Sequence, residues 1–139
     1  MGSSSERWQE DTTSDIRDDA PEWGIPTNHV TVQGGIVKMT RDEQAPHKIG
    51  SDAPALLWVG REQMCLIEVG RTAGARYPDS GSSVEIYTNP DPADYVEMET
   101  LGPLQTLRVG ERLTAVNSYT LKRRNRTDPD ADVRPVLPH

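Results

Sequence analysis

Two glutamates, Glu97 and Glu99, lie two residues apart in the stretch YVEMETLGPL. Because side chains alternate along a β-strand, both would project from one face, together with Tyr95. A pair of carboxyl groups can divide the roles of general acid and general base, or can accept hydrogen bonds from sugar hydroxyls. The other interpretation is the solvated outer face of a sheet, and the spacing alone leaves both interpretations open.

Further carboxylates and aromatic residues surround this stretch. In SVEIYT, the same alternation places Glu85 and Tyr87 on one face, opposite the apolar Val84 and Ile86. Aromatic rings offer flat apolar surfaces on which a sugar ring can stack, although strand aromatics more often pack in cores or across strands. Other candidates of these kinds are Asp79, Asp91 and Asp94 in loops, and the aromatic residues Trp58, Tyr77 and Tyr95.

Several other kinds of site are disfavoured. The glycines of GRTAGARYPDSGSS lack the strand–loop–helix context and the Lys-Ser or Lys-Thr ending of a nucleotide loop, so this segment is interpreted as a long turn. Cys65 is the only cysteine and lies in an apolar run, which is typical of a small buried hydrophobe. Together with the three scattered histidines, His29, His47 and His139, it forms no zinc motif, and we expect neither a metal nor a cofactor.

The net charge of −7 argues against binding to nucleic acids or anionic membranes, which requires basic surface. No apolar run approaches membrane-spanning length, and no signal peptide is recognisable. A cytoplasmic location is therefore the default expectation.

A period of two dominates the central part of the chain, which predicts strands rather than helices. The predicted strands are HVTVQ, GIVKMT, ALLWV, MCLIEV, SVEIYT, YVEMET and ERLTAVNSYTL. GREQ is a plausible hairpin turn in which Gly60 would supply a positive φ, and the prolines of TNPDPAD exclude a helix there. Short strands joined by turns rich in Gly, Pro and Asp predict an all-β protein with an antiparallel β-sandwich fold.

The composition divides the chain into three parts. Residues 1–19 are predicted to be a flexible polar segment, and 20–121 to be the β-sandwich domain. Residues 122–139 combine a basic patch with an acidic, proline-rich tail, a composition that buries too little apolar surface to offset the entropy of ordering. This last segment is predicted to be disordered.

The chain resembles an uncharacterised bacterial family, a domain of unknown function in the galactose-mutarotase-like superfamily of carbohydrate-binding β-supersandwiches. The resemblance rests on WQEDTTSDIRDDAPEWG, HKIG, YPDSGSSVEIYTNPDPADYVEMETLGPLQTLRVGE and a final SYTL. Val109 replaces the usual turn proline of that family. The matching positions are Tyr77, Pro78, Asp79, Gly81, Glu85, Tyr87, Glu97, Glu99, Leu101, Gly102, Pro103, Gly110 and Glu111.

This resemblance implies half of a supersandwich, because the similarity covers only the C-terminal half of family members about twice as long. In the sugar mutarotases of the superfamily, a C-terminal glutamate is the general base, and histidines from earlier in the chain are the acid. Glu97 or Glu99 is the nearest counterpart of that base, and spacing does not choose between them. The partner histidines would come from the absent half or its border.

Three functions follow as expectations. The first is a non-enzymatic carbohydrate-binding module whose candidate ligand contacts are Glu97, Glu99, Tyr87, Trp58 and Arg76. The second is a ligand-free half-domain that is stable as a homodimer, since a half sandwich would leave sheet edges and an apolar face to be covered. The third is an isomerase similar to aldose 1-epimerase.

Overall fold

The computed structural model describes residues 29–93, 95–125 and 128–137. These residues form short strands that pair antiparallel throughout, so the predicted all-β, sandwich-like fold is confirmed. The predicted flexible segment 1–19 lies outside the described residues. The elements are β1 (Val30–Gln33), β2 (Ile36–Met39), β3 (His47–Ser51), β4 (Ala55–Val59), β5 (Gln63–Val69), β6 (Val84–Thr88), β7 (Val96–Thr100), β8 (Asn117–Arg123) and the helix α1 (Pro129–Val133).

Two three-stranded sheets, β3-β6-β7 and β4-β5-β8, pack against each other, and β1 and β2 form a separate hairpin. The core joins Val84 of the first sheet to Leu56, Ile67 and Val69 of the second. Cys65, Ile86 and Met98 pack around this cluster and are partly buried. The strand HKIGS, which the periodicity did not single out, supplies β3 of the first sheet.

Alternation along β6 assigns its side chains as predicted. Val84 and Ile86 face the core, while Glu85 and Tyr87 point to the other side of the β3-β6-β7 sheet. The register of β6 with β7 aligns Glu85 with Glu99 and Tyr87 with Glu97, so these four side chains share the outer face.

Glycine is required for different reasons in two of the turns. Gly34 and Gly35 both have positive φ, 59° and 73°, as a tight two-residue hairpin turn between β1 and β2 requires. Gly60, predicted to need positive φ, does not have it. Its small size matters instead, because the indole ring of Trp58 lies where a Cβ would stand.

The last strand is shorter than the predicted run ERLTAVNSYTL. It begins only at Asn117, and residues 101–116, here called the arm, cross from β7 to β8 without forming a strand. At the tip of the arm, the N–H of Glu111 donates to the carbonyl of Arg108 at 3.0 Å, and Gly110 between them has φ 93°. The arm is exposed along nearly all of its length from Leu104 onward.

The segment predicted to be a disordered tail contains secondary structure in its described part. β8 continues through Arg123, and α1 follows. The guanidinium of Arg124 binds the carboxylate of Asp132 at 3.2 Å and donates to the carbonyl of Gly60 at 2.8 Å, so it joins the helix to the β4–β5 turn. Val133 is buried as well, and this apolar contact adds to the ion pair in ordering the segment. Among the described residues, no helix is long and apolar enough to cross a membrane.

Gly50 provides a test of how tightly the outer face of the first sheet is packed. A Cβ there would clash with the hydroxyl of Ser82, so we expect Gly50→Ala to destabilise the fold by about 1–3 kcal/mol in urea denaturation. Adding Ser82→Ala should recover part of the loss. Gly102→Ala is the matched control, because a Cβ at Gly102 meets no atom within 4 Å. Equal losses for Gly50→Ala and Gly102→Ala would contradict this packing.

Candidate functional site

The outer face of the β3-β6-β7 sheet collects charged and aromatic side chains in two rows. One row runs from Lys48 on β3 through Tyr87 on β6 to Glu97 on β7. The next row contains Gly50, Glu85 and Glu99 on the same three strands. We call these five side chains with Gly50 the polar face: Lys48, Glu85, Tyr87, Glu97 and Glu99.

A lysine and two glutamates form the centre of the polar face. The ammonium of Lys48 lies 2.6 Å from Oε2 of Glu85 and 3.3 Å from Oε2 of Glu99. The side chain of Glu85 has no exposed surface, whereas those of Lys48 and Glu99 are about a third exposed, 28% and 33%. Glu85 is therefore the buried member of the polar face, and Lys48 links it to the partly exposed Glu99.

Burial controls the protonation of Glu85. It raises the pKa of Glu85 from 4.5 to about 7, against the opposing effect of Lys48 and with a further upward contribution from the charge of Asp79. Partial burial lowers the pKa of Lys48, but its contacts with Glu85 and Glu99 outweigh that effect, and the pKa is raised overall. Glu85 therefore takes up or releases a proton near neutral pH, which changes the net charge of the pair.

The turn YPDSGSS places Asp79 beside Glu85. Asp79 and Ser80 both have positive φ, 46° and 60°, which is uncommon for residues with a Cβ. The turn is closed by the hydroxyl of Ser82, which donates to the carbonyl of Asp79 at 2.9 Å. Arg71 fastens it from outside, stacking 4.4 Å over the ring of Tyr77 and donating to the carbonyl of Gly81.

The five ligand contacts predicted from sequence separate into two groups. Glu97, Glu99 and Tyr87 lie together on the polar face. Trp58 lies on β4 in the other sheet, where it pairs with Cys65 and covers Gly60. Arg76 lies in the exposed loop before the YPDSGSS turn, and its backbone carbonyl accepts the N–H of Leu104.

Two of the histidines meet at a different place. The Nε2 of His47 lies 2.7 Å from the carboxylate of Asp42, and the ring of His29 stacks on that of His47 at 6.4 Å. The backbone N–H of Gln44 and the His47 contact hold the pKa of Asp42 below its usual range. His47 lies two residues before Ile49 on β3 and pairs with Thr88 of β6. Side chains two residues apart on a strand share a face, so the ring of His47 is on the core side of the sheet. Neither ring is thus on the face that carries Glu97 and Glu99.

Lys48 and Gly50 belong to the site, although sequence reasoning singled out neither. Their signal was present in HKIGS, where Lys48 and Gly50 alternate with His47, Ile49 and Ser51. What the sequence did not show is that β3 pairs with β6, a strand far along the chain. That pairing is what brings a cation to the two glutamates.

No protein-family model matches the chain, and no curated protein or solved structure shows a significant similarity to it.

The raised pKa of Glu85 predicts a specific pH dependence of stability. The folded protein keeps this proton up to about pH 7, whereas the unfolded chain releases it near pH 4.5, so the contribution is complete below pH 4.5 and is lost as the pH rises through 7. In Glu85→Gln this loss is absent. The free energy of unfolding of the variant, relative to that of the wild type, should therefore increase by up to about 1.4 kcal/mol per pH unit between pH 5 and 7.

Urea denaturation at each pH measures this difference. Glu97→Gln, which removes an exposed carboxylate from the same face, corrects for the change in net charge. A difference between Glu85→Gln and wild type that does not vary with pH would show that Glu85 is ionised in the folded protein throughout this range.

Proposed function

We propose that the chain is a carbohydrate-binding module of the galactose-mutarotase-like type, which holds a sugar on the polar face without transforming it. The observation that carries the proposal is the row Lys48–Tyr87–Glu97, in which an aromatic ring stands between a cation and a carboxylate. The family resemblance supports the same interpretation, and it extends the proposal to a bacterial, cytoplasmic protein.

The chemistry of this row suits a sugar. The apolar face of a pyranose can stack on a half-buried tyrosine ring, while its hydroxyls require both donors and acceptors around the ring. Lys48 donates, and Glu97 and Glu99 accept. Charged partners make the stronger hydrogen bonds, which would fix the orientation of the sugar.

The buried ion pair prepares the face before a ligand arrives. Glu85 attracts the ammonium of Lys48 from below, and Glu99 attracts it from the side, so the lysine is held in one position. A donor that is already in place loses less conformational freedom when it binds a hydroxyl. Because of this pre-organisation, the few exposed side chains of the polar face can bind a sugar at a smaller cost in conformational entropy.

Two placements favour binding over the isomerase alternative. An acid/base reaction needs both partners within hydrogen-bond reach of the sugar. Glu85, with a pKa near 7, is sealed beneath the sheet surface, and the paired histidines lie away from the polar face. Polarimetry of glucose and galactose anomers should accordingly show no rate above that of buffer.

Calorimetric titration with galactose, glucose, N-acetylglucosamine and their oligosaccharides tests the proposal. We expect at least one of them to bind, and Glu97→Gln to weaken that binding about 10-fold or more, because it removes a charged acceptor. Glu68→Gln is the matched control, since Glu68 is also an exposed strand glutamate but lies on β5 of the other sheet. Absence of binding to the whole panel, or equal weakening by the two variants, would contradict the proposal.

A further inference from the structure

The core-facing side of the β4-β5-β8 sheet is left open at its edge strand. Tyr119 and Leu121 of β8 pair with Ile67 and Cys65 of β5, so they lie on the same face as the core cluster. Ile67 is buried, yet Tyr119 is 64% exposed and Leu121 is 74% exposed. The apolar inner face thus extends beyond the part that the opposite sheet covers.

Alternate residues of β8 also point their backbone N–H and C=O groups toward that open edge. The N–H of Arg124 donates to the carbonyl of Glu62 at 2.8 Å, so the even-numbered residues of this stretch turn their backbone groups toward β5. The intervening residues must then turn theirs away, which concerns Asn117, Tyr119, Leu121 and Arg123. In the part of the chain that the structure describes, β5 is the only strand that pairs with β8.

The arm that precedes β8 adds to the exposed apolar surface. Val116, directly before β8, is 77% exposed, and the other apolar side chains from Leu104 onward are at least 45% exposed. Monomeric proteins rarely leave such a set of neighbouring apolar side chains uncovered. The exposed members of the arm are Leu104, Leu107, Val109, Leu113 and Val116.

We propose that β8 pairs antiparallel with β8 of a second copy of this chain, around a two-fold axis at Thr120. The two sheets would join into one six-stranded sheet in the order β4-β5-β8-β8-β5-β4. The register pairs all seven residues of β8, and Tyr119 of each copy lies opposite Leu121 of the other. This joins the two exposed apolar side chains across the interface.

The sequence of β8 is self-complementary in this register. Lys122 lies opposite Ser118, and Arg123 lies opposite Asn117, so no two like charges face each other. The outward backbone groups of Tyr119 in one copy and Leu121 in the other form a hydrogen-bonded pair, so the N–H and C=O groups at the sheet edge gain partners. A stable interface buries about 800 Å² on each partner, and the arm supplies apolar area next to the paired strands. A second copy is therefore the partner whose chemistry fits this surface.

Cysteine cross-linking tests the register. In a Cys65→Ala background, which removes the only native cysteine, Thr120→Cys places two thiols at the two-fold axis. Thr120 falls in a non-hydrogen-bonded pair, where the Cα atoms lie about 4.5 Å apart, within the range of a disulfide. We expect rapid formation of a covalent dimer under mild oxidation, seen on a non-reducing gel.

Ser118→Cys is the matched control on the same face of β8. In the proposed register the two copies of Ser118 are about 13 Å apart, too far for a disulfide. The double variant Ser118→Cys/Lys122→Cys should restore the cross-link, because each thiol then faces the other. Thr120→Cys that cross-links no faster than Ser118→Cys would overturn the proposal.

Light scattering on the full chain tests association itself. The wild type should have twice the mass of one chain, and Tyr119→Lys/Leu121→Lys should weaken the dimer about 100-fold or more, with an unchanged circular dichroism spectrum. Val32→Lys, at an exposed valine on β1, is the control that should stay dimeric. A wild type that is monomeric at every concentration overturns the proposal. If the lysine variant fails to fold, the cysteine comparison still decides.

The two proposals fail independently. Sugar binding concerns the outer face of β3-β6-β7, whereas dimer formation concerns the edge and inner face of β4-β5-β8. A dimer that binds no sugar would contradict the proposed sugar binding and support dimer formation. A monomer that binds sugar would support sugar binding and contradict dimer formation.

Discussion

The ion pair between Lys48 and Glu85 is the constraint around which the first sheet is arranged. A carboxylate with no exposed surface is costly unless it is protonated or paired, and here it is balanced between the two states. Gly50 opposite it carries no side chain, which leaves room for Glu85 and for the Ser82 hydroxyl. The left-handed turn at Asp79 then brings a second carboxyl close enough to act on Glu85. Much of the local sequence is thus explained by one buried group.

The same fold gives its two sheets different surfaces. On the first sheet, the core side packs Val84 and Ile86 against the second sheet, while the outer side holds Lys48 and Glu99 beside the buried Glu85. On the second sheet, the core side itself reaches solvent at β8, where Tyr119 and Leu121 are exposed. A polar, pre-organised surface suits a small polar ligand, whereas an apolar edge with outward backbone groups suits another strand.

Sequence patterns identified which side chains share a face but not which strands are neighbours. Alternation in SVEIYT and YVEMET correctly grouped Glu85 with Tyr87 and Glu97 with Glu99, because the period of a strand is a local property. Lys48 was missed because its contact with Glu85 depends on pairing between distant strands. Trp58 was grouped with the polar face by residue type alone, although its strand belongs to the other sheet. The helix α1 was not predicted, because its contacts, the Arg124–Asp132 ion pair and the burial of Val133, cannot be identified from composition.

Mapping of sugar contacts by NMR would establish whether the polar face is the ligand face. Galactose and glucose would be titrated into the ¹⁵N-labelled full chain at constant protein concentration, with backbone amide shifts followed residue by residue. We expect the largest changes at Lys48, Tyr87 and Glu97, and no change at the amides of β8. Shifts confined to β8 and the arm, or to the loop around Arg76, would contradict binding at the polar face.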